Sequence, residues 1–531
     1  MSARRFDDAL RVRARATPDA VFLQSEKGPA TFGATDTVAD RLAALLRSAG
    51  LTGPVATVLP MGPAMAALVF AAGRAGLRLA PLHRRRSPAE LVDAVGALEP
   101  CAILHDSTTA DMARAIAQGA PVLDLERLVA GGPMPPVPAR CEPADVGPSD
   151  PEIRRALDTA REAAHYAGVY PPADASGRLP LGPEADAFLL WTSGTRAGPR
   201  AVRLSHANLM AVAGGSALRL DLAPDDRWLA ALDPAHVGGL ALLVRAAVVG
   251  FRLVSRERFD ATEAAALLDA GEVTSASLVP TMLHRLLRER GDQLAPPHCR
   301  CLLVGGDAVP RALLERALDL RYPIALTYGL TEAASQVCTA PPALVREKPG
   351  TVGWPLKGVD VRIDEASGEI LVRGPSVSAG YAAGDAPMAD GRGWLATGDV
   401  GHVDGDGHLW VMGRLSDRIV TGGVNVDPAE VAARLALDPA VEEVVVVGVP
   451  DEEWGQLVAA AVVPRGPAPS PEPEELIERW NETLSSPMKP RLVRLVAELP
   501  RNASGKVDRT AVRALFGAAT PSRPSPSGAS L

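Results

Sequence analysis

Three hydroxyl residues, two glycines and two arginines crowd one short segment of this chain, Leu189-Leu190-Trp191-Thr192-Ser193-Gly194-Thr195-Arg196-Ala197-Gly198-Pro199-Arg200-Ala201-Val202. Anionic oxygens are held by backbone N–H groups, hydroxyls and cations, and glycine lets the backbone come close. Thr192, Ser193 and Thr195 offer hydroxyls, Gly194 and Gly198 offer approach, and Arg196 and Arg200 offer charge. That set suits a triphosphate. The apolar run before it reads as a buried strand, and the segment from Ser205 onward reads as a helix. The spacing is not that of a Walker loop, because no Gly-Lys-Ser/Thr follows Gly198. Taken alone, such a segment is more often an ordinary strand-to-helix turn.

Four further segments carry chemistry. Leu326-Thr327-Tyr328-Gly329-Leu330-Thr331-Glu332 offers an aromatic face, hydroxyls and a carboxylate, suited to a base, a phosphate and a Mg²⁺ ion. A strand end followed by a capped helix reads the same way. Trp394-Leu395-Ala396-Thr397-Gly398-Asp399 places a carboxylate just beyond a turn, where it can accept both hydroxyls of a ribose. Gly413-Arg414-Leu415-Ser416-Asp417-Arg418 is followed closely by Thr421-Gly422-Gly423-Val424. Pro500-Arg501-Asn502-Ala503-Ser504-Gly505-Lys506 sets a lysine on a turn near the end of the last globular segment.

The elements that must position these groups alternate. Apolar runs at 55–59, 101–104, 228–232, 275–279 and 301–304 read as strands, and 63–75 reads as a helix. Such alternation predicts an α/β fold with largely parallel sheets. Strands at 369–373 and 409–412 suggest a smaller β-rich subregion. A compact α+β domain follows, with helices at 428–437 and 473–484 and strands at 442–449 and 457–463. The expected division is a large N-terminal α/β domain over 1–415, a small mobile α+β domain over 416–517 and a disordered Pro/Ser-rich tail over 518–531. The Pro/Ala-rich stretch 130–185 reads as a surface excursion with a helix at 152–167.

With 531 residues, 22% charged and a net charge of −8, the chain suits a soluble globular protein and not a broad nucleic-acid or anionic-membrane binder. The cluster His83-Arg84-Arg85-Arg86 reads as a solvated loop. Cys101, Cys141, Cys299, Cys301 and Cys338 form no C-x-x-C pair, which argues against a disulfide framework or structural zinc. No signal peptide or membrane span is read, so the expected location is cytoplasmic.

In this order, the five segments resemble the adenylate-forming superfamily of acyl- and aryl-CoA synthetases, peptide-synthetase adenylation domains and luciferases. The resemblance runs from about Thr17 to Phe516. It implies ATP, Mg²⁺ and coenzyme A, a small carboxylic acid as substrate, and leaves a homodimer open. By position, Thr192, Ser193, Gly194, Thr195 and Arg200 would hold the β/γ-phosphates. Gly305, Gly306, Asp307 and Tyr328 would line the adenine. Thr331 would touch the α-phosphate, and Glu332 would help hold Mg²⁺. Asp399 and Arg414 would bind the ribose, and Lys506 would bridge the acid and the α-phosphate. Gly422 and Gly423 would admit a pantetheine arm, and Ser416 would be the hinge. Two anions meet in such an adenylation, so cations are needed at the transition state.

Asp233-Pro234-Ala235-His236-Val237-Gly238-Gly239-Leu240 and Tyr328-Gly329-Leu330-Thr331-Glu332-Ala333-Ala334-Ser335-Gln336-Val337 look like o-succinylbenzoate–CoA ligases of menaquinone synthesis. A dicarboxylate substrate would want a further cation, for which Arg245 and Arg203 are candidates. His236 would flank the acyl carbonyl and thiol path, or simply pack after its strand. Other acyl or aryl acids, a carrier-protein acceptor and a non-catalytic nucleotide binder are the alternatives. The chain departs from the family at Arg196-Ala197, usually Thr-Gly, and at Arg200-Ala201, usually Lys-Gly.

Overall fold

Parallel strands buried on both faces need near-continuous apolar sequence, and this chain supplies it repeatedly. In a computed structural model, which describes residues 5–130, 182–192, 200–384, 387–466, 472–501 and 507–517, two large sheets are built this way. The first has nine strands in the order Trp354–Pro355, Ser335–Ala340, Ile324–Leu330, Cys301–Gly305, Ser275–Leu278, Arg227–Ala230, Arg252–Ser255, Val21–Ser25, Gly28–Thr31. The six strands from Ile324–Leu330 to Val21–Ser25 are all parallel, and antiparallel strands finish both edges. The second has six strands in the order Val122–Asp124, Ala102–His105, Val55–Thr57, Leu79–Pro81, Asp186–Trp191, Ala201–Ser205. Only its last pair is antiparallel. The α/β reading holds.

Helices begin and end where side chains can serve their orphan backbone groups. Pro63 opens Pro63–Ala75 and Gly76, in the left-handed region, closes it. Ser205 caps His206–Arg219 reciprocally with Asn208: each backbone N–H donates to the other's side-chain oxygen, at 3.1 Å and 2.9 Å. A four-stranded sheet of Asp360–Ile363, Glu369–Arg373, Leu395–Val403 and Leu409–Arg414 is the smaller β-rich subregion. The helix expected at 152–167 and the 518–531 tail lie outside the described residues.

By its internal contacts the chain groups into two compact units. One comprises Met1–Arg362, Leu371–Ala396 and Gly405–Leu409; the other comprises Ile363–Ile370, Thr397–Asp404 and Trp410–Leu531. The second is built on the hairpin of Val441–Asp451 and Gly455–Pro464. Alternate residues of these strands face opposite ways. Val446, Val458, Ala460 and Val462 meet Val431, Leu435, Leu476 and Trp480 of the helices Pro428–Leu435 and Pro473–Thr483. Val445, Val447, Ala459 and Ala461 meet Val512 and Phe516 of and beyond Arg509–Leu515.

Candidate active site

The carboxyl ends of parallel strands lie along one edge of a sheet, and ligands of open α/β sheets bind beyond that edge. Three of the chemistry-bearing segments sit there in the nine-stranded sheet. Arg227–Ala230 leads to Asp233 and His236, Cys301–Gly305 leads to Gly306 and Asp307, and Ile324–Leu330 leads to Thr331 and Glu332. Gly305 stands opposite Thr327 in register, and a Cβ there would lie 2.5 Å from Thr327 Cγ2, so packing alone demands glycine. Asp307 is exposed, and its Oδ1 accepts from the Ala308 N–H at 2.9 Å. Tyr328 is buried on the neighbouring strand.

Thr331 and Glu332 do not open a long helix. They form a single 3₁₀ turn, Thr331–Ala333, joining Ile324–Leu330 to the antiparallel Ser335–Ala340. The reversal is tight enough that Ala334 and Ser335 both carry positive φ, 55° and 118°. The carbonyl of Glu332 accepts from the Ser378 N–H at 2.8 Å. Its Oε1 accepts from the Tyr381 hydroxyl at 3.3 Å, while Oε2 has no hydrogen-bond partner among the described residues. Mg²⁺ takes one or two carboxylates together with substrate phosphate oxygens, so this donor fits it.

The strand before the phosphate segment and the helix after Ser205 stand as expected, but a second strand intervenes: Asp186–Trp191 pairs antiparallel with Ala201–Ser205, which runs directly into the helix at His206. The Thr192 N–H donates to the Arg200 carbonyl at 3.0 Å. Ser193, Gly194 and Thr195, like Arg196 and Ala197, lie outside the described residues. Arg200 lies over the Tyr381 ring, its Cζ 5.2 Å from the centroid. Burial, and then the Glu332 charge, push the Tyr381 phenol above its ordinary value.

His236 occupies the N-cap position of the helix Val237–Val249 without a side-chain capping bond, and its ring stands edge-to-face against His83 at 4.8 Å between centroids. His83 is buried, unlike the solvated loop expected, and burial pushes its imidazole below the ordinary value. Arg203 is spoken for by Asp186, at 2.8 Å. Arg245 is different. It is 2% exposed, and its Nη2 donates to Gln336 Oε1 at 2.7 Å. Its Nε and Nη1 are buried with no hydrogen-bond partner, and no carboxylate pairs with it among the described residues. The Gln336 amide nitrogen donates to Thr339 Oγ1 and Thr327 Oγ1, at 2.8 and 3.2 Å, which fixes its oxygen toward Arg245. Burial lowers the guanidinium to about 10, so it is still a cation near neutral pH.

In the second unit Arg414 Nε meets the buried Asp399 Oδ1 at 2.9 Å. Gly422 and Gly423, both at positive φ, form the two-residue turn joining Ile419–Thr421 to Val424–Val426, a type of turn that requires such residues. Ser416 sits in the 3₁₀ turn Leu415–Asp417. Arg501 and Val507 pair antiparallel; Lys506, between them, lies outside the described residues. Cys299, Cys301 and Cys338 are buried, and burial raises their thiols, Cys299 to about 12, so they are inert at neutral pH.

Residues 10–382 match the family model described as AMP-binding enzyme, and residues 430–506 match the AMP-binding enzyme C-terminal domain. The chain belongs to the AMP-binding enzyme family. As a member it is an ATP-dependent adenylate-forming ligase. It is 39% identical over 356 residues to a 2-succinylbenzoate–CoA ligase of Bacillus mycoides (strain KBAB4), spanning 63% of this chain and 73% of that protein. Another, from Bacillus thuringiensis subsp. konkukian (strain 97-27), is 39% identical over 337 residues, or 62% of this chain and 69% of that protein. Among solved structures of the AMP-binding family, it superposes with TM-score 0.79 on an o-succinylbenzoate CoA synthetase from Bacillus subtilis in complex with its acyl-adenylate intermediate. Identity there is 29%, covering 95% of this chain and 97% of that one. The same synthetase in complex with ATP and magnesium ion superposes at 0.78, with 29% identity over 94% and 98% of the two chains.

Sequence reasoning missed two residues. Tyr381 is a single aromatic in a Gly/Ala-rich stretch, and His83 is masked by three arginines. The alternation of a lone polar aromatic with small residues is the only signal the first left.

Proposed function

We propose that this chain activates 2-succinylbenzoate with ATP and transfers the acyl group to coenzyme A. The observation that carries the choice of acid is Arg245. A buried guanidinium without a carboxylate is electrostatically incomplete, because burying an uncompensated charge costs several kcal/mol (roughly 3–5 kcal/mol where a partner is removed). A substrate with a second carboxylate supplies what the fold leaves out. The neighbouring Gln336 belongs to the Ala-Ser-Gln continuation that resembles o-succinylbenzoate–CoA ligases.

In this reading the substrate's other carboxylate attacks the α-phosphorus, and pyrophosphate leaves. Thr192 and Arg200, at the ends of the phosphate hairpin, would meet the β/γ-phosphates, and Thr331 would touch the α-phosphate. Bound Mg²⁺ would supply positive charge to the phosphate oxygens, held by Glu332. Asp399 and Arg414 would take the ribose hydroxyls. Lys506 would neutralise the meeting anions and then withdraw by rotation near Ser416 before the thiol attacks. For coenzyme A, the second unit offers a cavity lined by Gly422, Trp454, Ser486, Lys489 and Arg491. Arg491 lies 3.9 Å over the Trp454 ring centroid. Two cations beside an aromatic face suit an anionic nucleotide moiety. A cytoplasmic location belongs to the same proposal.

The test is mass-spectrometric analysis of products from ATP, Mg²⁺, coenzyme A and a panel of o-succinylbenzoate, simple benzoates and medium-chain fatty acids. Selective o-succinylbenzoyl-CoA with AMP is expected. Preference for a monocarboxylate refutes the acid, and adenylate without thioester refutes coenzyme A as acceptor.

A further inference from the structure

Glu332 is held at two points by one short segment. Ser378 N–H donates to its carbonyl at 2.8 Å, and the Tyr381 hydroxyl donates to its Oε1 at 3.3 Å. That segment is itself fastened to the phosphate hairpin. Ser378 Oγ donates to the Arg203 carbonyl at 2.6 Å, Arg203 N–H to the Gly380 carbonyl at 3.1 Å, and Ala382 N–H to the Ala201 carbonyl at 2.8 Å. Val202 and Tyr381 form an antiparallel bridge. From the other side, Asn208 Nδ2 donates to the carbonyls of Pro375 and Val377 at 2.8 and 3.0 Å. Residues 375–382 therefore strap two separate sheets together where each presents a phosphate-handling group.

Tyr381 stands near the end of this strap and faces both groups. Its ring carries the Arg200 guanidinium at 5.2 Å, and its hydroxyl carries the Glu332 carboxylate. A phenol at neutral pH donates one hydrogen bond, and a carboxylate only accepts, so the direction of this bond is fixed. Occupying Oε1 leaves Oε2 without a hydrogen bond among the described residues. The ring face attracts the guanidinium at the base of the phosphate hairpin.

We propose that Tyr381 is a positioning residue that orients the Glu332 carboxylate for Mg²⁺ and, through its ring, sets Arg200 for the triphosphate, so that the metal and phosphate sites are assembled by one side chain. The proposal rests on Glu332 being the metal-holding carboxylate. Partners of a metal-binding carboxylate typically change metal affinity by about 10–100-fold when removed.

The test separates the two ends of the side chain. The full chain is titrated with Mn²⁺, followed by electron paramagnetic resonance, in the presence of α,β-methylene-ATP and without acid, so that no turnover occurs. Tyr381→Phe keeps the ring and removes the hydroxyl; Mn²⁺ binding is expected to weaken about tenfold, with a smaller loss of metal-free nucleotide affinity than in a variant without the ring, since the hydroxyl also meets Arg200. Tyr381→Leu removes the ring as well, and metal-free nucleotide affinity is expected to fall further. Glu332→Gln is expected to weaken Mn²⁺ binding at least as much, and adding Tyr381→Phe to it is expected to cost nothing further. Unchanged Mn²⁺ binding in Tyr381→Phe while Glu332→Gln is impaired overturns the role of Tyr381. Unchanged Mn²⁺ binding in Glu332→Gln overturns the metal reading beneath it. Additive losses in the double variant show that Tyr381 acts on the site independently of Glu332, and also overturn the proposal.

Discussion

Arg245 is the residue at which the proposed function runs against stability. Its helix, Val237–Val249, is apolar nearly throughout and buried, and an arginine in it is the residue that a stability argument would remove. Only Gln336 and the Trp228 ring, 5.7 Å from Cζ, compensate its charge among the described residues. Arg245→Met is therefore expected to stabilise the ligand-free protein by roughly 1–4 kcal/mol in chemical denaturation. The same change is expected to raise KM for 2-succinylbenzoate about tenfold or more, since it removes a hydrogen-bonded charge from the bound acid. A benzoate lacking the second carboxylate would be handled as before. A variant that loses stability and handles both acids equally badly would show Arg245 to be structural.

At the scale of elements, the turns decide where chemistry stands. Thr331 and Glu332 project from a reversal between two antiparallel strands, and that reversal requires the chains to touch. A Cβ on Gly329 would lie 1.7 Å from the Ser335 carbonyl oxygen, a backbone atom that cannot give way. Gly329→Ala is expected to cost about 3 kcal/mol or more, because overpacking against backbone cannot relax by a rotamer change. Calorimetry would register a lowered midpoint for the first unit alone, and ATP binding would fall with it, because the turn that carries Glu332 would be displaced. Preserved ATP affinity in a destabilised variant would mean that the turn does not position the nucleotide. The Gly422-Gly423 turn is of the same kind: the hairpin alone accounts for both glycines, so their presence is no argument for a thiol path.

At the scale of the molecule, the proposed cycle asks different work of Lys506 in its two halves. Lys506→Ala is expected to slow adenylation by roughly a hundredfold or more, the cost of removing one charge-stabilising group. Thioester formation from supplied acyl adenylate should be little affected, as pre-steady-state rates of each half-reaction would show. Equal loss in both would remove the lysine from the adenylation step.

Much of this protein was legible in its sequence because the information is local. The parallel strands at 275–278 and 301–305 announce themselves as short apolar runs bounded by turn residues, and the helix Pro63–Ala75 by its proline and glycine. The order of the motifs identified the family, since each motif's residues are contiguous. Strand partners are not local. Nothing in Ala201–Ser205 tells that it returns against Asp186–Trp191, so the phosphate segment read as a strand-to-helix turn. Whether an arginine is paired depends on neighbours distant in sequence: Arg203 finds Asp186, and Arg245 finds Gln336, 91 residues away. His83 meets His236 and Tyr381 meets Glu332 in the same way. Sequence alone determined which groups the chain carries and the periodicities that make its strands and helices, because both are written in adjacent residues. Tertiary structure alone decided which of those groups are buried, satisfied or left with charge to spare, because desolvation and pairing are properties of an enclosed place and not of a residue.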